Sequence, residues 1–373
     1  MGRYALNLLK RLPTFSNDIE FTFLIDPSLE SDAVAQISGI VQLGHPGIRH
    51  LPSGFKNVAT QLSLTRALSS CSFDLAHFLT EKDAPWSMNG PFCVSIMDTI
   101  PISAIDLYAS SLQRSKNRLA HAVSSRVATK ATAIITISEY SKKDIVKYFQ
   151  IKPEHVHVIY LAPENEYASE YETSTVTKTL HKYGVPRSFY LYVGGIDPRK
   201  NILYLLDGYA RYAAIKKDPE VLVMAGSISS QREYPEFLKR VRDLKLQSLV
   251  CQPGFVADED LPILFAASKA FIFPSLYEGF GIPVLEAMSA GTPVITTKLT
   301  SIPEVAGNAA LFVDPHRSET LMQALEAVST NRNLAMDLID KGRKQARKFS
   351  WDRTAEETLQ FYINTIQEHH RAS

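Results

Sequence analysis

Cysteine is scarce in this chain: Cys71, Cys93 and Cys251 are the only three in 373 residues, far apart and odd in number. That excludes a disulfide scaffold and the paired spacings of a structural zinc site, and it points to a reducing compartment, the cytoplasm. Glycine and proline number 17 and 20, well short of the roughly 25–30% of the chain that marks low-complexity or collagen-like sequences. No apolar run approaches the ~18 residues of a membrane span. Lys10 and Arg11 stand where the apolar core of a signal peptide would lie. An excess of one charge is missing too: 40 Lys and Arg face 39 Asp and Glu, a formal net charge of +1. No global field is left to hold a polyanion, which argues against nucleic acid as a partner.

What is present is ample apolar material, 45% of residues, in a chain long enough for two domains at roughly 150 residues each. Short apolar runs bounded by turn signals read as buried strands: Phe21 to Ile25, Phe92 to Met97, Ala133 to Ile137, Val156 to Tyr160, Phe189 to Val193, Val221 to Ala225, Ala270 to Phe273 and Pro293 to Thr296. Helical periodicity fills stretches between them, as in Ile202 to Ala214 and Glu319 to Val328. This alternation predicts α/β architecture with doubly wound parallel sheets. The acidic, then Thr- and Ser-rich stretch Pro163 to Arg187 marks the boundary, giving an N-terminal domain over 1–165 and a C-terminal domain over 186–350. The chain opens on a helical pattern, Tyr4 to Leu12, where such a domain normally starts with a strand and a Gly-rich turn, so a first strand is expected to be missing from the sequence.

Two segments carry chemistry. In the first, Ser275-Leu-Tyr-Glu278-Gly279-Phe280-Gly281-Ile282-Pro283-Val-Leu-Glu286, a strand, a Gly-containing loop and a helix start stand in series. Pro283 suits the first helical position, and Glu286 is expected in the first turn. Free amides of Gly279 to Gly281 with the helix dipole make an anion site. Two carboxylates beside it, Glu278 and Glu286, call for hydroxyl donors, which a nucleotide sugar supplies from ribose and hexose. Either glutamate taken alone reads more simply as structural. In the second segment, a strand leads through Gly194-Gly195 to Arg199, Lys200 and Asn201 at the next helix start. The glycines admit a ligand to the backbone, and the cations offer a fork and a point charge to a diphosphate, against the plainer reading of a solvated basic turn. Lys200, taken as an exposed cation, is expected to contribute little to the fold.

These segments resemble the retaining glycosyltransferases of family four, of the GT-B fold: the spacing of Glu278 and Glu286, the intervening Gly-Phe-Gly, and Gly291-Thr-Pro-Val after the helix carry the likeness. It extends through Val193-Gly-Gly to Asn201, Thr136-Ile-Ser138-Glu-Tyr-Ser141-Lys, Gly2-Arg3-Tyr4, Ser301-Ile-Pro-Glu304-Val and Ser350-Trp351-Asp352, so it covers nearly the whole chain. The resemblance implies two Rossmann-like domains facing a central cleft, the first on the acceptor side and the second binding the donor, with a last helix, about 351–373, crossing back to the first. It implies that Glu278 binds a hydroxyl of the donor hexose, that Gly279, Phe280, Gly281 and Ile282 line sugar and phosphate, and that Glu286 holds the ribose. Arg199 and Lys200 would neutralise the diphosphate leaving group without a metal, helped by Gly194, Gly195 and Gly2. Phe255 and Val256 fall where relatives cradle the nucleobase, or equally in a buried turn.

The implied activity is retaining transfer of a hexose from an NDP-sugar, UDP-glucose-like first and GDP-mannose next, to a hydroxyl of a saccharide or lipid-linked acceptor in polysaccharide biosynthesis, with no cofactor. A nucleotide-sugar-binding protein without catalysis, or an epimerase or hydrolase on the same fold, is the alternative. Relatives carry His-Asp where this chain has Met97-Asp98, and Met97 can neither donate to a sugar oxygen nor move a proton. Asp98 therefore reads either as an acceptor contact or as a helix cap. Between Leu107 and Ser138 there is no acidic residue, while Arg114, Lys116, Arg118, Arg126 and Lys130 are present. That segment reads as a solvated helix face, with peripheral contact to the inner face of the plasma membrane the second reading. Ser301-Ile-Pro-Glu304 has the form of a helix capping box.

Overall fold

The computed structural model describes residues 2–15, 19–25, 48–50, 65–66, 68, 72–86, 88–107 and 111–372. Cys71, Met1 and Ser373 lie outside them, as do the side chains of Arg114 and Lys116 in the basic helix Ser111–Ala128. Two units emerge: one comprises 1–105, 109–161 and 350–373, the other 106–108 and 162–349.

The first unit carries strands β1 (Phe23–Ile25) and β2 (Ile48–His50), paired parallel, and a parallel sheet of β3 (Ala76–Phe78), β4 (Phe92–Ser95), β5 (Ala133–Thr136) and β6 (Val156–Val158) in that spatial order. β4 and β5 are buried at every position, as expected of parallel strands covered on both faces. The opening helix Gly2–Phe15 buries Tyr4, Leu8 and Leu12, one face at helical spacing. The final helix Trp351–Ala372 packs on it, and Arg11 Nε meets Asp352 Oδ1 at 2.7 Å. Beneath them runs a polar chain: Tyr4 Oη lies 3.1 Å from Ser95 Oγ, which lies 2.8 Å from His77 Nε2, and His77 Nδ1 lies 2.5 Å from Tyr362 Oη. Burial lowers the His77 pKa to about 3, so the ring stays neutral at pH 7.

The second unit holds a six-stranded parallel sheet of β7 (Phe189–Val193), β8 (Val221–Ala225), β9 (Val250–Gly254), β10 (Phe271–Phe273), β11 (Val294–Thr297) and β12 (Ala310–Val313), in the order β12-β11-β10-β7-β8-β9. Its core is rich in tyrosine, with Tyr190 and Tyr192 from β7 and Tyr209 and Tyr212 from the helix Ile202–Ile215 fully buried. The chain winds outward from β7 to β9, then returns to β10 beside β7 and winds the other way. This reversal makes the carboxyl ends of β7 and β10 a topological switch point, where open α/β sheets bind ligands.

One sequence reading changes here. The stretch Pro163 to Arg187 is not a bare connection: it belongs to the second unit and contains the helix Thr173–Lys182, packed on the helix Leu261–Ala267. Its polar composition hid a narrow apolar contact at Leu180, and ties at its end: Lys182 Nζ and Tyr183 Oη reach Asp260 Oδ2 at 2.6 and 2.8 Å.

Candidate active site

The two segments singled out by composition and spacing are the loops that leave β7 and β10, so the topology brings them together at the switch point. After β7, the Tyr192 hydroxyl donates to the Gly195 carbonyl. Burial first, and the Glu278 carboxylate second, push its pKa well above the usual phenol range, which keeps it a donor. Gln231 closes the other side: its Oε1 accepts from the Ile196 amide at 2.7 Å and stands 2.9 Å from where a Cβ on Gly195 would fall. A side chain there would have to push the carboxamide aside and disturb its bond to the Ile196 amide. A single 3₁₀ turn, Pro198–Lys200, then presents the two cations ahead of the Ile202–Ile215 helix. The backbones of the two loops are joined by the Leu276 amide, which donates to the Arg199 carbonyl at 2.7 Å.

Glu278 is the centre of this arrangement. Its Oε1 accepts from Lys200 Nζ at 2.6 Å and its Oε2 from Arg199 Nη1 at 2.9 Å. Arg199 Nε is 3.1 Å from Asp197 Oδ1, and Lys200 Nζ lies 4.7 Å from the centroid of the Phe273 ring. The Lys200 and Glu278 side chains are each only 10% exposed. Lys200 is therefore not the solvated cation expected from its sequence context: β10 and its loop cover it, and its charge is balanced by a buried carboxylate. Two cations and two carboxylates form a compact, formally neutral network, which must exchange partners to receive an anion.

Downstream, Gly281 caps the helix Ile282–Ser289 at φ +105°, and a Cβ there would come 2.7 Å from Ile302 Cδ1. No side chain caps this helix start; Pro283 brings no N–H and the Val284 amide donates to the Gly281 carbonyl at 2.9 Å, so what the first turn offers an anion is the Ile282 amide and the helix dipole. Pro283 is the second helical residue rather than the first, and Glu286 the fifth, past the first turn where it was expected. Capping by Gly281 starts the helix one residue earlier than Pro283 suggested. Glu286 is nonetheless buried.

The remaining candidates fall as follows. Phe255 and Val256 follow β9, the first 70% exposed and the second buried, so the chain direction splits a pair that had been read together. Asp98 lies in the first unit, where its Oδ1 accepts from the Ile100 amide at 2.9 Å in the turn that starts a short helix, Ile100–Ser103. Gly2 begins the opening helix of that same unit. The capping box at Ser301 does not form: the serine backbone is already helical, its side chain caps nothing, and its Oγ lies 2.8 Å from the Glu278 carbonyl and 2.9 Å from that of Phe280. Thr300 joins it by accepting the Glu278 amide at 3.1 Å. Gln231, Thr300 and Ser301 were not legible as site residues, because their partners are distant in sequence. Among the described residues, no group of three or more His, Cys, Asp and Glu side chains is placed to hold a metal ion, and no helix is long and apolar enough to cross a membrane.

Two parallel α/β units, with a cation-bearing glycine loop and a glutamate loop at the switch point of the second, define the GT-B class of glycosyltransferases. Residues 1–162 match the model of Glycosyltransferase Family 4 and residues 181–345 that of Glycosyl transferases group 1; the chain belongs to this family. Among curated proteins it is 33% identical to O-antigen chain mannosyltransferase B of Escherichia coli, over 62% of this chain and 60% of that protein. It is 31% identical to the serotype-specific mannosyltransferase WbdA of the same organism, over 64% of this chain and 29% of the relative. The chain thus matches less than two thirds of either relative's length. Among solved structures, a glycosyltransferase from Rickettsia africae matches with a TM-score of 0.74 at 18% identity, covering 98% of this chain and 94% of that one. Anabaena Alr3699/HepE in complex with UDP and glucose matches with a TM-score of 0.73 at 17% identity, covering 96% and 95%. At such identities these structures speak to the fold.

Proposed function

We propose that the protein is a retaining hexosyltransferase that moves a sugar from a nucleoside diphosphate donor to a hydroxyl of a saccharide or lipid-linked acceptor in polysaccharide assembly. The observation that carries this reading is the meeting of Arg199, Lys200 and Glu278 at the switch point, beside an uncapped helix N-terminus. In the working state, the diphosphate takes the two cations and the amide that opens the Ile282–Ser289 helix, and Glu278 turns its released oxygens to a hexose hydroxyl. Glu286 accepts from the ribose. As the bond from the anomeric carbon to the leaving phosphate oxygen breaks, charge develops on the phosphate, where preorganised cations stabilise it without a metal. The acceptor hydroxyl attacks from the same face, its proton passing to the departing phosphate oxygen, so configuration is retained. The first unit presents the acceptor, with Asp98 as a contact at the carboxyl end of β4.

The names of the curated relatives favour a mannosyl donor; the UDP and glucose in the Anabaena structure favour a UDP-hexose as the second reading. The protein would act in the cytoplasm, with the basic segment 107–138 a face for the inner leaflet. The test is turnover with GDP-mannose and with UDP-glucose in the presence of EDTA and an oligosaccharide or lipid-linked acceptor, followed by NMR of the product. Release of one nucleoside diphosphate with an α-linked product is expected. An inverted linkage, a strict metal requirement or no transfer from either donor would refute it.

A further inference from the structure

Four hydroxyls from β11 and the loop after it fasten, one after another, to β10 and the loop after that. Thr296 Oγ1 donates to the Phe273 carbonyl at 2.7 Å, and Thr297 Oγ1 to the Ser275 carbonyl at 2.6 Å. Thr300 Oγ1 accepts the Glu278 amide at 3.1 Å, and Ser301 Oγ serves the carbonyls of Glu278 and Phe280. Thr296, Thr297 and Ser301 are fully buried. Thr300 differs from the others in a second way: its φ is +53°, a conformation that β-branched residues rarely adopt and that persists where the surroundings over-determine it, typically at functional sites. What holds it there is on both sides, the hydroxyl on Glu278 and, one residue beyond Ser301, the Ile302 side chain against Gly281.

We propose that Thr300 is a positioning residue for the donor sugar: its hydroxyl, delivered by a strained backbone, fixes the Glu278 main chain so that the carboxylate meets the hexose once a diphosphate draws Arg199 and Lys200 away from it. The proposal rests on the reading of Glu278 as the hexose contact. Loss of the hydroxyl frees the Glu278 amide and the loop drifts, while the cations, held on the β7 side, still meet a diphosphate. The signature is therefore a split between ligands that share a nucleotide and differ by the sugar.

The experiment compares dissociation constants for GDP and GDP-mannose, and in parallel for UDP and UDP-glucose, in wild type, Thr300→Val, Thr300→Ser, Thr300→Gly and Glu278→Ala. Thr300→Val is expected to shrink the margin of sugar nucleotide over bare nucleotide ~tenfold, the scale of one lost hydrogen bond to a buried group. Bare-nucleotide affinity should stay within about twofold, and Thr300→Ser should restore the margin. Thr300→Gly suits the positive φ and separates folding from positioning: it is expected to melt no lower than wild type yet show the same loss. An intact margin in the valine and glycine variants, or a parallel fall in both affinities, would overturn the proposal. A wild type with no margin, or a Glu278→Ala variant that keeps it, would overturn the reading of Glu278 and the proposal with it.

Discussion

Replacing Glu278 by glutamine removes the charge that both Lys200 and Arg199 face while nearly conserving shape. One carboxamide oxygen can still accept from Lys200, but the amide nitrogen turns a donor towards Arg199, so the 2.9 Å bond is lost and the 2.6 Å bond loses its charge. Asp197, 3.1 Å from Arg199 Nε, is then left facing two cations whose side chains are 10% and 20% exposed. Removing one partner of a buried pair costs about 3–5 kcal/mol, and the slight exposure here favours the lower end. For a unit the size of 162–349, ~3 kcal/mol lowers the melting temperature by about 6–12 °C. The same change makes the cations available: a bare diphosphate no longer has to displace a carboxylate, so GDP, UDP and pyrophosphate should bind about tenfold tighter than to wild type, a gain of ~1.4 kcal/mol. Transfer should fall steeply in the same variant if Glu278 is the hexose contact proposed above. Differential scanning fluorimetry with and without each anion reads the first two effects and a turnover assay the third. A variant that melts within 2 °C of wild type, or whose affinity for bare diphosphates is unchanged, would refute the idea that the unliganded site is held shut by its own ion pairs.

Other expectations follow from the same structure. Glu286→Ala should weaken binding of the bare nucleotide by about 1–3 kcal/mol through unpaired ribose hydroxyls; calorimetry giving an unchanged dissociation constant would remove Glu286 from the ribose site. Lys200→Ala should lose stability as well as turnover, by about 3 kcal/mol, because Lys200 is buried on Glu278; urea denaturation matching wild type would contradict that. His77 should make the first unit acid-sensitive. Its native pKa of about 3 lies below the ordinary 6.5, so only the unfolded chain takes up the proton between those values. Stability is unaffected above pH ~6.5 and declines by up to ~1.4 kcal/mol per pH unit as pH falls towards 3. His77→Gln, which does not titrate, should flatten that slope in denaturant titrations at pH 7, 6 and 5, and an unaltered slope would point to other groups.

Much of the second unit was legible because its strands are buried on both faces: Phe189 to Val193 and Val221 to Ala225 read as continuous apolar runs and match β7 and β8 at both ends. Among the strands that escaped, β3, β2 and β9 carry polar or turn-forming residues, a central histidine in β3, a central arginine in β2 and Pro253-Gly254 in β9, while β12 is a four-residue apolar run too short to stand out. The helix Thr173–Lys182 escaped because few of its side chains are apolar. Ser301 shows the limit of local rules. Its spacing to Glu304 is that of a capping box, yet two carbonyls more than twenty residues upstream compete successfully for its hydroxyl.

The sequence by itself determined the alternating α/β order, the glycines in the loops after β7 and β10, and residue types suited to a diphosphate and a sugar, since these depend on periodicity and on chemistry carried within short segments. Only the tertiary structure decided that β10 returns to lie beside β7, and therefore that Lys200 and Arg199 rest on Glu278 instead of solvent. It also decided that Thr300 and Ser301 grip the glutamate loop. Pair formation across 78 or 22 residues is set by sheet topology, and no local pattern encodes which charge or hydroxyl will arrive at the far side of a crossover.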